Sequence, residues 1–224
     1  MELRDALRTS GAARSFTDRP VSDDTLTEIL DDARFAPSGG NRQPWHVAVV
    51  KDTDLRERLA DLMRPVWNEY MAIADTGRTP FTVVEPADYD LVSTRAGNVP
   101  NALLDEIATI PVVLVVAADL GRIAMMDQHL DRPTLSGGAS IYPFCWSVLL
   151  AARARGLGGV ITTFLSRAEP LAAGLLGLPD TWALASTIFL GEPTRQATRL
   201  SRGPVAGFAT LDRFDGVPFG GHPL

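Results

Sequence analysis

Between Ser22 and Ala33 the apolar residues fall at Leu26, Ile29, Leu30 and Ala33, the one-sided repeat of an amphipathic helix. Ser22 or Asp23 is available as its N-cap, with further acids in the first turn. Pro37 stops that pattern, because it has no N–H to give and disfavours helical geometry at Ala36. After a polar interval the apolar run from Trp45 to Val50 predicts a buried strand. Residues 53–74 then carry Leu55, Leu59, Leu62, Met63, Val66, Trp67 and Tyr70 on one broad helical face, with a kink expected at Pro65. The run Ile110 to Ala118 is continuous, apolar and β-branched, as in a central strand covered on both faces. A helix from about Ile141 to Arg155 has apolar positions on more than one stripe, so it is buried on most sides, against a partner subunit as one option. Gly156 is its C-cap. A short strand ending at Thr162 and Thr163, a helix over 168–178 and a buried strand from Trp182 to Leu190 complete the regular elements, and 2–8 reads as a short helix at the start.

Between Gly77 and Asn101 the periodicity fails, and Pro80, Pro86, Gly97 and Pro100 break the chain. A stretch of this kind inside a compact domain is often a substrate loop. Trp67, Tyr70, Phe81 and Tyr89 are candidate wall residues for a pocket there; aromatic residues at helical spacing also serve as plain core. The tail GFATLDRFDGVPF is extended in character, and no repeat or low-complexity segment occurs.

The polar interval Pro37-Ser38-Gly39-Gly40-Asn41-Arg42-Gln43 is the most informative stretch. Its glycines permit positive φ and leave backbone N–H groups uncovered, and three long polar side chains follow at once. A simple connector needs the glycines but not three consecutive donors, although glycine turns followed by Asn or Gln are common in their own right.

Composition narrows the picture. The 224 residues are 46% hydrophobic and 21% charged, which suits one globular domain spanning 1–224. A net charge of -6 argues against a dedicated nucleic-acid binder and favours a soluble, cytoplasmic protein. Lys51 is the one lysine among 21 basic residues, so an anion site must be built from arginine or backbone N–H groups. Cys145 stands alone in an apolar run and reads as a packed, inert thiol. Asp127, His129 and Asp131 have no familiar metal-ligand spacing and read as a solvated polar stretch; no metal is expected. No apolar run is long enough to span a bilayer, and MELRDALRTS lacks the apolar core of a secretory signal.

The segment ARFAPSGGNRQPW closely resembles the APSGGNxQPW stretch of the nitroreductase-like flavoproteins, where the turn lies against FMN at a homodimer interface. The resemblance continues in order through the Tyr-Pro start of the helix at 142, GLGGVITT, LGEP and the late arginine patch. It implies an α+β, nitroreductase-like fold, with a mixed central sheet flanked by helices in an intertwined homodimer. It further implies FMN as cofactor and NADH or NADPH as electron donor. The cofactor-binding residues would be Arg14, Pro37, Ser38, Gly39, Asn41, Gln43, Thr162, Thr163, Arg199 and Arg202. Arg14 as a solvated arginine, and Thr162 and Thr163 as ordinary strand residues, are the plainer alternatives. Family members usually read Arg-Arg-Ser-x-Arg-x-Phe near the N-terminus. Here Ser10, Gly11 and Ala12 stand at the first three places and only Arg14 and Phe16 match, so one half of the phosphate clamp is missing. The tail would cross onto the other subunit and add a strand to its sheet. The activity implied is hydride transfer from NAD(P)H through flavin N5 to a nitroaromatic, quinone or related electron-poor compound. Reductive dehalogenation, flavin consumption or flavin binding without turnover are the alternatives. Substrate protons would come from water or from Tyr142, which reads equally as a structural tyrosine.

Overall fold

The computed structural model describes residues 1–84 and 97–220. Its centre is a four-stranded sheet, β1 (Trp45–Val49), β2 (Val112–Asp119), β3 (Gly158–Thr162) and β4 (Trp182–Gly191), in the order β1-β2-β4-β3. Every neighbouring pair is antiparallel, so the sheet within one protomer is not the mixed sheet expected. Helices between consecutive strands are compatible with either sense, and here each returning strand enters from the opposite end. Parallel character survives as one isolated bridge, Ala12 to Gly159.

Helices cover both faces. On one, α2 (Asp23–Ala33) and α5 (Tyr142–Ala154) pack Ile29, Ala33, Phe144, Cys145 and Val148 against Leu114, Val116, Ile188 and Leu190. On the other, α3 (Thr53–Ala74), the short α4 (Ala102–Asp105), α6 (Phe164–Arg167) and α7 (Glu169–Leu176) close over Val113, Val115, Val160 and Phe189. Helix α1 (Leu3–Thr9) lies at the periphery. The alternation along β2 sends its side chains in turn to both layers, which explains why its sequence is apolar throughout.

Local signals account for the helix boundaries. Ser22 caps α2 by accepting from the Thr25 amide at 3.1 Å, and Asp52 caps α3 by accepting from Leu55 at 2.7 Å. Pro65 lies within α3 without interrupting it, on the exposed side where an unpaired carbonyl can meet water. The helix expected at 168–178 is α7, and the separate single turn α6 precedes it.

Three further differences bear on the site. Strand β1 is half exposed rather than buried, because it is an edge strand: Trp45 and Val47 pack inward while His46 and Ala48 face out. The chain after Pro204 is not a free extended arm. It turns at Val205–Gly207 and folds back so that Thr210 bridges Pro218. Arg56, on the apolar side of α3, is buried and donates to the carbonyls of Val50 (2.8 Å), Ala108 (3.3 Å) and Ile110 (2.6 Å). It thereby fastens the end of β1 to the approach to β2, and burial lowers its pKa from the ordinary value.

Candidate flavin site in two halves

The first half lies where β3 ends. Residues 12–17 run beside β3 and the end of β4, with the Ala13 amide donating to Gly159 (3.0 Å) and the Thr17 amide to Glu192 (2.8 Å). This places Arg14 at the mouth of a cavity of about 490 Å³, together with Asn101, Thr162, Thr163, Trp67 and Phe164. The volume is that of a small-molecule site. Arg14 is exposed and makes no ion pair among the described residues. Phe16, the other N-terminal match, is a packing residue whose ring lies against Gly191.

Thr162 is the informative member of the set. Its hydroxyl is buried at the cavity edge and has no hydrogen-bond partner, and the Thr187 hydroxyl, on the residue paired with it across β3 and β4, is unpartnered too. A buried polar group without a partner costs on the order of 1–3 kcal/mol, which a bound ligand can return. The aromatic wall is built by Trp67 stacked on Tyr70 (5.8 Å, 11°), with Phe164 tilted against both and Phe81 tilted against Tyr70. The Trp67 indole N–H donates to the Val99 carbonyl (3.1 Å) and fixes the wall to the chain that leads to Asn101. Tyr89 lies outside the described residues.

The second half is the turn at 37–43. Gly40, Asn41 and Gln43 all have left-handed φ, at 61°, 53° and 48°. For residues other than glycine this costs on the order of 1–3 kcal/mol each, less for Asn, and such strain gathers at ligand clamps. The turn is held by Ser38, whose hydroxyl accepts from Gln43 N at 3.0 Å, and by Ser140, whose hydroxyl accepts from Gly39 N at 3.0 Å. The Gly39 amide is therefore spoken for, contrary to the expectation that both glycine N–H groups are free. The Gly40 amide makes no hydrogen bond among the described residues. Pro37 is exposed at the entry, and the Asn41 side chain accepts from that of Gln43 at 3.1 Å.

The two halves do not meet within one protomer. The turn leads into β1 at one edge of the sheet and Thr162 ends β3 at the other, with two strands between. At the usual strand spacing this is a separation of roughly 14 Å across the sheet.

The family model for the nitroreductase family matches residues 8–192. The chain belongs to the nitroreductase family. It is 27% identical over 187 residues to a putative NADH dehydrogenase/NAD(P)H nitroreductase of Archaeoglobus fulgidus, covering 83% of this chain and 82% of that one. It is 26% identical over 202 residues to the nitrobenzene nitroreductase of Ectopseudomonas oleovorans, covering 84% and 86%. Among solved structures, the NADPH:FMN oxidoreductase of Vibrio harveyi complexed with NAD+ superposes with a TM-score of 0.66 at 20% identity, covering 96% of this chain and 78% of that one. Iodotyrosine deiodinase bound to FMN and 3-iodo-L-tyrosine superposes with a TM-score of 0.63 at 21% identity, covering 95% and 100%. These similarities establish the nitroreductase fold.

The residues of the first half fit the flavin that this family implies. A free guanidinium, an unpartnered threonine hydroxyl and an aromatic wall suit an anionic, hydrogen-bonding, planar ring system. Arg199 and Arg202 do not line the cavity. Both are exposed, and Arg202 turns back on the Ser201 carbonyl (2.7 Å). Their segment nevertheless starts beside the N-terminal one: Gln196 donates to the Thr9 carbonyl at 2.8 Å. The Leu200 side chain lies 3.0 Å from where a Cβ of Gly11 would stand. The departure at Ser10-Gly11-Ala12 thus has a packing cause, since Gly11 leaves room for the arginine-bearing strand of chain.

Tyr142 lies in a different cavity of the protomer, with Met125, Leu135 and Ala185, and burial pushes its phenol pKa up. Asp127 is neither a ligand nor simply solvated. Its carboxylate accepts from the Ser136 and Thr134 hydroxyls, the Leu135 and Ser136 amides and Arg132, which hold its pKa far below the carboxylate range. Among the described residues no group of three His, Cys, Asp or Glu side chains is arranged to hold a metal, and no helix is long and apolar enough to cross a membrane. Asn101 is a polar lining residue that the sequence did not mark, as it did not mark the apolar Ala102, Leu103, Val160 and Ile161. Its only sequence signal is its place before the short α4, which it caps by accepting from Leu103 at 3.1 Å.

Proposed function

We propose that the protein is a homodimeric, cytoplasmic FMN-dependent oxidoreductase that passes hydride from NADH or NADPH to a nitroaromatic, quinone or related electron-poor compound. The observation that carries this reading is the division of the site. One edge of the sheet presents an unpartnered hydroxyl and an unpaired guanidinium around a cavity, and the other presents a strained turn with a free amide. A two-fold dimer brings one half from each subunit to a single flavin. Family membership and similarity to FMN-bound structures support the same conclusion.

FMN, when bound, supplies reversible hydride chemistry at N5. The chain's residues bind and orient. Arg14 would bring positive charge to the flavin, and Thr162 would offer it a hydroxyl held in register at the end of β3. Arg199 and Arg202 take the phosphate, replacing the N-terminal arginines. Trp67 and Phe164 keep water from one side of the cavity. The turn at 38–43 closes from the other subunit through the Gly40 amide.

A second reading keeps this site and makes the reaction a reductive dehalogenation. The aromatic wall accepts a halogenated ring as readily, and similarity to iodotyrosine deiodinase supports it. One experiment tests both. The purified protein is expected to be yellow, with the two visible bands of oxidised flavin, and to oxidise NADH or NADPH when nitrobenzene is supplied. Turnover with 3-iodo-L-tyrosine and none with nitrobenzene selects the second reading, and a colourless protein that fails to take up FMN rejects both.

A further inference from the structure

The cavity that holds Tyr142 is separate from that of Arg14 and Thr162. It has a volume of about 390 Å³ and lies between the ends of β2 and β4 and the chain at 120–142. Its floor is small, Ala118 and Ala183–Ala185, and its walls are Leu120, Ile123, Met125, Leu135, Ile141 and Tyr142. Among the described residues no charged side chain lines it. Two glycines shape it. A Cβ at Gly138 would stand 2.8 Å from the Tyr142 ring, and one at Gly137 would stand 3.4 Å from the Met125 side chain. The Gly-Gly pair at 137–138 therefore lets the ring lie flat against the chain.

This wall is firmly built. The Asp127 carboxylate gathers Arg132, Thr134, Leu135 and Ser136 into one knot, and Ser136–Ser140 forms a single 3-10 turn. The last residue of that turn, Ser140, accepts from the Gly39 amide. The wall of the apolar cavity is thus hydrogen-bonded to the turn at 38–43, so a flavin that meets the turn has the cavity beside it. Met126, Leu130 and Leu135 are largely exposed on the same segment and add apolar surface beside the cavity. The Tyr142 hydroxyl has only a long contact to the Ala185 carbonyl, 3.5 Å, which leaves its proton available.

From this we infer that the 120–142 segment forms the acceptor side of the site, in trans to Arg14 and Thr162, and that its cavity selects a neutral, planar, apolar acceptor over an anionic one. The inference rests on the proposed flavin reading. A ring enters between Met125, Leu135 and Ile141, with Tyr142 offering one hydrogen bond. A carboxylate placed there would be desolvated with no cation among the lining residues to receive it, which is costly.

The test uses the purified full-length protein carrying ¹³C-methyl methionine. Five methionines give five signals, and Met125→Leu assigns the one in the cavity. Titration with nitrobenzene is expected to shift the Met125 signal to saturation, at a concentration at least tenfold lower than any shift caused by 4-nitrobenzoate. Leu135→Arg, at an exposed position where folding tolerates charge, is expected to reverse that preference. A Met125 signal that nitrobenzene leaves unmoved overturns the inference. So does equal or tighter binding of 4-nitrobenzoate, or an unchanged preference in the Leu135→Arg protein. Visible absorbance of the same samples reports flavin separately: a colourless protein whose Met125 responds as expected contradicts the flavin reading and leaves the cavity's selectivity standing.

Discussion

Two of the chain's glycine pairs, Gly39-Gly40 and Gly158-Gly159, are glycine for opposite reasons. At the first the backbone is exposed. Gly40 has φ 61°, and a Cβ there would meet only the Arg42 guanidinium, the flexible end of a long side chain. At the second the backbone is buried in β3. A Cβ at Gly159 would fall 2.5 Å from the Leu190 side chain and 2.6 Å from the Phe189 carbonyl. One pair keeps space open to a visitor, and the other closes the core over the sheet. The difference separates a site residue from a folding residue where the letters alone do not.

The strongest way to break this contrast is at the buried pair. Gly159→Ala has to displace backbone as well as side chain, so it is expected to cost about 3 kcal/mol, the upper part of the range for overpacking. In a chain of this size that is a fall in melting temperature of roughly 10 °C. Flavin bound per folded protein should be unchanged, and a variant that melts like the wild type would show that the strand is looser than described. Gly40→Val should do the reverse. Its strain at positive φ costs about 1–3 kcal/mol of stability, whereas FMN affinity of the folded fraction should collapse. If affinity holds while stability falls, the turn is only a turn. Arg202→Ala sharpens the account of the phosphate: FMN affinity should drop by about 1.5–3 kcal/mol, the size of a charge-assisted hydrogen bond, and riboflavin affinity should hardly change. Equal losses for the two ligands would assign Arg202 to folding. Smallest of all, Asn41→Ala removes one hydrogen bond, so a loss of about 0.5–1.5 kcal/mol in FMN binding is expected by calorimetry.

Much of this architecture can be read from the residues. The helix at 23–33 announced itself by a Ser22 cap and a four-position apolar stripe, and β2 by its unbroken β-branched run. These are local signals, and local physics fixes them. The turn at 37–43 was equally legible as a polar, glycine-bearing break. Its strained Asn41 and Gln43 were not, because left-handed φ is routine only for glycine, merely enriched for Asn and not signalled by Gln at all. Other features depend on partners far along the chain. Arg56 lies at an ordinary helical position, and only the carbonyls of Val50, Ala108 and Ile110 make it a fastening. Asp127 looked like a solvated acid until Thr134 and Ser136 closed on it. Gly159 stood only within the family-like run GLGGVITT, and nothing marked it as a packing residue until Leu190 and Phe189 filled the space beside it. The direction of the strands also escaped, since helices between strands are compatible with either sense and only pairing decides.

The central claim is that each flavin site takes the turn at 38–43 from one subunit and Arg14 and Thr162 from the other. Mixing two defective proteins tests it. Gly40→Val and Arg14→Glu are each expected to bind FMN poorly alone. After equal amounts are unfolded and refolded together, half the dimers are mixed, and each has one site with both defects and one with neither. FMN titration by flavin fluorescence should then recover about a quarter of wild-type sites, as two-fold symmetry requires. If each site is instead made within one subunit, no undamaged site forms in the mixed dimer, and the mixture will bind no more FMN than the two variants do apart.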